Sequence, residues 1–161
     1  MKLWILLFVL ISHSLCAGLV FTKAPPHFSP KREKVLVYCH VGSEVLFLFG
    51  ALGQEHGNAW APVFGFTEKG ESARVAAARL LKEDVRVELL PIYLYLSKTL
   101  YIRLPKEDQL CHVFFVSFPQ RPLLRPSFAK HLQYRWSSLE EALQLPMTPL
   151  ERECVILSSS A

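Results

Sequence analysis

The chain has 161 residues, 51% of them hydrophobic, and sets 18 lysines and arginines against 14 aspartates and glutamates. That length supports one good core and leaves a second domain cramped. No basic block is longer than Lys31-Arg32, which excludes a nucleic-acid platform; the mild positive excess suits a small anionic ligand, or none.

The chain opens with "MKLWILLFVLISHSLCAGLV". Lys2, an apolar run from Leu3 to Ile11, and small or polar residues up to Gly18 form the three-part layout of a secretory signal. The run is short of the roughly 20 residues that span a bilayer, although a mixed stretch to Phe21 is long enough for an uncleaved anchor. Residues 1–21 are therefore expected to be a signal-like or anchor segment, which makes the protein exported or membrane-associated. A mis-assigned start, with a cytoplasmic protein, is the alternative, and a buried N-terminal strand is a third reading. Residues 22–33 follow as a proline-rich, basic linker, and the folded domain is expected over 34–161. Cys39, Cys111 and Cys154 have no C-x-x-C spacing, so they suggest neither a zinc site nor a disulfide framework. Cys39 and Cys111 sit in strand-like apolar runs and are expected to be core.

"KVLVYCHV" and "EVLFLFG" read as two strands of a hairpin turning at Gly42-Ser43. A glycine-containing loop leads to "WAPVFGF", a short strand into the turn "TEKGE". Ser72 is a plausible N-cap for a helix running to about Asp84. At about 100° per residue, Leu80, Glu83 and Asp84 share one face with Ala76, and Arg79 lies at its edge. The opposite face, Val75, Ala78, Leu81 and Val85, reads as the buried one, which leaves Leu80 on an acidic outward stripe. "VRVELLPIYLYLS", "TLYIRL" and "LCHVFFVSF" are predicted strands, with Pro91 marking an edge or bulge in the first. "HLQYRW" is the last short strand. "SLEEALQL" is a short helix after Ser137 or Ser138, and Thr148-Pro149 starts a final helix through about Leu157. Strands outnumber helices and hairpins outnumber crossovers, giving an α/β fold with a mixed sheet covered by helices.

Glu71, Glu83 and Asp84 bracket one helix, and Gly65 and Gly70 sit in the segment that feeds it. Carboxylates at this spacing can hold Mg²⁺ or Mn²⁺, which would polarise a phosphoryl oxygen and activate water; acidic residues near a helix end are also ordinary solvated surface. The stretch "GFTEKGESARVAAARLLKEDVRV" goes further. It resembles the Nudix box, G-x5-E-x7-R-E-U-x-E-E-x-G-U with U aliphatic: Gly65, Glu71, Arg79, Leu81, Glu83 and Val87 take their places without a gap, and Asp84 replaces the final Glu. The hairpin before it and "HLQYRWSSLEEALQL" after it are similar to family members that include dinucleoside polyphosphate hydrolases.

The resemblance implies a Nudix-like α/β/α sandwich with a mixed sheet. It also implies metal-dependent hydrolysis of a nucleoside diphosphate linked to another group, a pyrophosphate small molecule being the partner. By that resemblance Glu83 and Asp84 would be metal ligands with the Gly65 backbone near the metal, and Glu71 and Arg79 would brace loop against helix. Trp60, Phe64 and Tyr134 are candidates for stacking on a base, with a core role as the plainer reading. Lys69 and Lys130 are candidates for phosphates, or plain solvated lysines.

The sequence also departs from the box. Leu80 stands where the family has a Glu that binds metal or acts as general base. Leucine can do neither, and a general base contributes on the order of 10² to 10⁴ in rate. Arg86 replaces the glycine that closes the helix. Val63-Phe64-Gly65 stands where a Gly-Gly pair is common, and Lys130 precedes His131 where similar hydrolases carry a Glu. Glu107, Asp108 and Glu55 are the other candidate bases. Two readings follow: a Nudix-type hydrolase whose activity is weak or lost, and a catalytically inactive Nudix-fold module for nucleotide binding or protein interaction.

Overall fold

The structure is a computed structural model and describes residues 18–53 and 57–159. Strands β1 (Leu19–Phe21), β2 (Pro30–Val41), β3 (Glu44–Gly50), β4 (Trp60–Ala61), β5 (Val63–Phe66), β6 (Tyr95–Arg103), β7 (Asp108–Ser117) and β8 (His131–Ser137) form one sheet, with helices α1 (Ala73–Val85), α2 (Leu139–Ala142) and α3 (Pro149–Ser159). β2 is its spine. It runs parallel to β7 along Pro30–His40, while its other edge takes β5 antiparallel at Lys34–Val37 and turns at Gly42-Ser43 into β3.

Alternation along β2 divides the molecule into layers, because successive side chains point to opposite faces. Val35, Val37 and Cys39 pack with Ala76, Ala77, Leu80, Leu81 and Val85 of α1. Leu36 and Tyr38 pack with Ala142, Cys154 and Val155 of α2 and α3. The result is an α/β/α sandwich on a mixed sheet. Cys39, Cys111 and Cys154 are buried and free, and burial pushes the Cys39 thiol up to about 12, so Cys39 packs as a protonated apolar group.

The helix starts follow the local chemistry. Ser72 Oγ accepts the N–H of Val75 at 3.4 Å. Ser138 and Glu141 make a reciprocal capping box before α2, and Thr148 Oγ1 accepts the N–H of Glu151 ahead of α3.

Other expectations change. β2 begins at Pro30, four residues into the expected linker, and Leu19–Phe21 pairs with Arg103–Tyr101 of β6 as an added edge strand. The two strands expected between Val85 and Arg103 are one, β6, preceded by a 3₁₀ turn at Pro91–Tyr93. Proline has no N–H for a ladder and a φ that suits the first position of a turn. The signal-like or anchor reading of 1–21 falls almost wholly outside the described residues. Among these, no helix is long and apolar enough to cross a membrane.

The buried face of α1 also differs from the expected one. Ala76, Ala77, Leu80, Leu81, Asp84 and Val85 are buried, whereas Val75 is exposed. The helix is rotated so that its buried arc joins Ala76 to Val85 through Asp84. Paired alanines let α1 approach the sheet closely, and Leu80 and Leu81 together supply the apolar width. Leu80 therefore lies in the core, 4% exposed.

Candidate active site

The loop between β5 and α1 places Glu71 one residue before the N-cap, and the helix returns Arg79 two turns later on the same side. Arg79 Nε and Nη2 donate to the two oxygens of Glu71, each at 2.8 Å, and Nη2 also reaches the Phe66 carbonyl at 2.9 Å. The bidentate geometry is the strong form of this pairing. Glu71 Oε2 further accepts the Glu68 N–H at 2.9 Å. The Arg79 hydrogen bonds hold the Glu71 carboxyl below its ordinary range. Arg79 thus ties the end of β5, the loop and the helix into one rigid unit.

Glu83 lies one turn further on, with its oxygens 3.3 and 3.4 Å from Arg79 Nη1 and its side chain 42% exposed. Asp84 points inward and is 2% exposed. A buried carboxylate needs partners, and two residues at the turn into β8 approach Asp84: Lys130 Nζ donates to Oδ1 at 3.0 Å, and His131 Nε2 lies 3.3 Å from Oδ2. Lys130 Nζ is also 3.8 Å from Glu83 Oε2. Turns on the loop before β8 set this up, since the N–H groups of Lys130 and His131 both donate to the Ser127 carbonyl and the Ser127 N–H donates to the Asp84 carbonyl.

Between these carboxylates and β5 stands Leu80. A β-carbon built on Gly65 would lie 2.4 Å from Leu80 Cδ2, so the isobutyl group fills the space beside the Gly65 backbone.

The divalent metal implied by the sequence resemblance does not fit this donor set. Such an ion takes about six oxygen ligands, usually including carboxylates and waters. Here only Glu83 and Asp84 are carboxylates in place, Leu80 presents methyl groups, and Lys130, His131 and Arg79 already surround the acids. Among the described residues no group of three or more His, Cys, Asp and Glu is disposed to hold a metal.

Of the residues singled out in the sequence, Gly65, Glu71, Arg79, Glu83, Asp84 and Lys130 come together around α1. Tyr134 pairs with Leu48 of β3 and so stands on the α1 face, 47% exposed. Trp60 does not join them: it packs with the α2 and α3 cluster on the far face of the sheet, against Phe49 with ring centroids 5.3 Å apart. Phe64 is on that face too, beneath the Lys34 ammonium at 5.0 Å. Lys69 is exposed and lines a shallow groove with Arg32 and Phe66, away from Asp84. Glu107 and Asp108 lie at the β6–β7 turn, Asp108 bonded to Arg103 and to the Ser29 N–H. Pro30, the β2 partner of Asp108, is five residues from Val35, the partner of Gly65, about 16 Å along the strand. Glu55 lies outside the described residues. His131 is the site residue that sequence reasoning missed in this role. Its signals were its place beside Lys130 and at the head of "HLQYRW", and nothing local says which carboxylate it meets.

Comparison with known proteins accounts for this arrangement at the level of the fold. A family model described as NUDIX domain matches residues 30–157. No curated protein sequence matches at a significant level. Among solved structures, a MutT protein from Methanosarcina mazei superposes with a TM-score of 0.67 at 18% identity, covering 81% of this chain and 94% of its own. A MutT NUDIX hydrolase from Burkholderia pseudomallei also gives 0.67, at 16% identity over 82% and 99%. The NUDIX domain of Shewanella oneidensis NrtR, complexed with ADP ribose, gives 0.65 at 16% identity over 85% and 91%.

Proposed function

Because this chain belongs to the NUDIX domain family, we propose that it is a binding module on that fold, which engages a nucleotide-derived, pyrophosphate-bearing small molecule without hydrolysing it by the metal route. The observation that carries the reading is the occupation of the metal's place by side chains. Leu80 fills the space beside Gly65, and Lys130 supplies Asp84 with the positive charge an ion would otherwise bring. A tethered ammonium neutralises a carboxylate, but it offers no open coordination position for a phosphoryl oxygen and does not lower the pKa of water as a divalent ion does. The ligand class is argued from the fold, one neighbour of which was solved with ADP ribose.

A residual hydrolase is the second reading. Glu83 favours it, because this box carboxylate keeps an exposed oxygen edge at 42% exposure. The two readings part in one assay. The full chain is incubated with ADP ribose, nucleoside triphosphates and dinucleoside polyphosphates in Mg²⁺ or Mn²⁺, beside Glu83→Gln, and phosphate and nucleotide release are followed. No release above the Glu83→Gln background is expected. Turnover that Glu83→Gln removes would overturn the non-hydrolytic reading in favour of the second.

A further inference from the structure

Helix α1 closes with a left-handed cap: the Arg86 N–H donates to the Lys82 carbonyl at 3.2 Å, the 5→1 bond of the αL motif, and the Val87 N–H donates to the Leu81 carbonyl at 3.3 Å. Arg86 holds the left-handed position at φ 61°. Only His27 and Asn58 share positive φ among the described non-glycine residues. Glycine is the residue this geometry favours, so a long cationic side chain is kept here at a conformational cost. Backbone strain of this kind is a reason to look for what the side chain faces.

Arg86 lines a hollow of about 620 Å³ with Leu123, Arg125, Pro126, Ser127 and Phe128. That volume is in the range of small-molecule sites. Two hydrogen bonds hold the hollow's far wall to the helix end: the Arg125 N–H donates to the Val85 carbonyl and the Ser127 N–H to the Asp84 carbonyl, both at 2.9 Å. With the Arg86 N–H on Lys82, the same bonds occupy the Lys82, Asp84 and Val85 carbonyls, which reduces the partial negative charge an anion would meet at this helix end.

The neighbouring charges are matched. Lys82 pairs with Glu88 at 3.1 Å, and Lys130 with Asp84. Arg86 and Arg125 have no acidic partner among the described residues, and two guanidinium forks at one hollow suit the oxygens of a phosphate. Phe128 and Leu123, 78% and 77% exposed, add an apolar wall to the same hollow, which an aromatic ring can cover.

We propose that this hollow is a binding site for a nucleotide, its phosphates held by Arg86 and Arg125 and its base lying against Phe128 and Leu123. The site lies beyond the end of the box helix, apart from the carboxylates that Arg79 and Lys130 occupy. The inference deepens the binding reading above and rests on it for the ligand class.

The test is calorimetric titration of the full chain with ADP and with inorganic pyrophosphate, in parent, Arg86→Gly, Arg125→Ala and, as a remote control, Lys106→Ala at the exposed β6–β7 turn. ADP is expected to bind the parent and Lys106→Ala alike, and Arg86→Gly and Arg125→Ala roughly tenfold or more weakly, the loss expected for charge-assisted hydrogen bonds. The thermal midpoint of Arg86→Gly should stay level or rise, because glycine relieves the positive φ; weaker binding by a variant at least as stable cannot come from unfolding. ADP binding that both arginine substitutions leave unchanged would overturn the site alone. A parent that binds neither probe would overturn the site and the binding reading together. Nucleotide release that Glu83→Gln abolishes, with binding still sensitive to Arg86→Gly, would remove the non-hydrolytic reading and keep the site.

Discussion

Beside Gly65 the limiting quantity is room for one methyl group. Leu80 Cδ2 would stand 2.4 Å, and Cδ1 3.1 Å, from a β-carbon at residue 65, so the glycine is required by Leu80 rather than by an unusual φ. Gly65→Ala is expected to cost about 1–3 kcal/mol through overpacking. Leu80→Ala is expected to cost about 2–4 kcal/mol through lost burial and a cavity. The double variant should cost less than the sum by about 1 kcal/mol or more, because the shortened residue 80 makes room for the new methyl. Urea unfolding of the four proteins measures this, and strict additivity would show that Leu80 does not fill that space. At this scale the resemblance marked Leu80 as standing where the box has a Glu. It did not show that the leucine is buried, because a 13-residue helix with alanines at 76, 77 and 78 offers two plausible apolar faces and only the sheet chooses between them.

The element that positions the site is α1 with the loop before it, braced by Glu71 and Arg79. The resemblance to the box implied this brace, and the structure shows it as a bidentate pair. Glu71 titrates below its ordinary value because Arg79 hydrogen-bonds to its charged form. Its contribution is therefore fully present above the unfolded-state value of 4.5 and is lost as pH falls through the lower folded value. Glu71→Gln is expected to lower stability near pH 7 by about 1–3 kcal/mol, and to lose less stability than the parent on acidification from pH ~5 toward pH ~3. Parallel acid-unfolding curves for the two proteins would refute the brace as a source of stability. The C-terminal end of the same helix was half legible. A non-glycine at the closing position was visible as Arg86, but the partners of the last carbonyls, Arg125 and Ser127, lie about 40 residues along the chain and no local pattern points to them.

Across the whole molecule, the sheet is joined to the α2–α3 layer by a pair that no local motif announces. Lys34, 1% exposed, leaves β2 on the face opposite α1 and donates to Glu151 of α3. Burial alone would lower the pKa of this ammonium, but the Glu151 carboxylate more than compensates, and the group is held above its ordinary value. Removing one residue takes from the other's buried charge this counter-charge, so Lys34→Met and Glu151→Leu are each expected to cost about 3–5 kcal/mol, while the double variant should cost clearly less than either. A double variant as unstable as the singles, by chemical denaturation, would show that the pair is not what matters there. In the sequence Lys34 opens a predicted strand and Glu151 lies in the first turn of the predicted last helix; nothing local marks either as buried, because burial of a charge depends on a contact spanning 117 residues. The sequence by itself determined an α/β fold with a mixed sheet, through strand alternation and helix caps, since these periodicities are set by backbone geometry; the α/β/α sandwich was implied by the resemblance that Gly65, Glu71, Arg79, Glu83 and Asp84 carry. It also determined that Leu80 cannot serve as a base, which is a matter of side-chain chemistry. Only the tertiary structure decided that Leu80 is core, that Lys130 and His131 meet Asp84, and that Arg86 and Arg125 share a hollow with no acidic partner among the described residues. Each of those facts is a distance between residues far apart in the chain, fixed by how the layers pack.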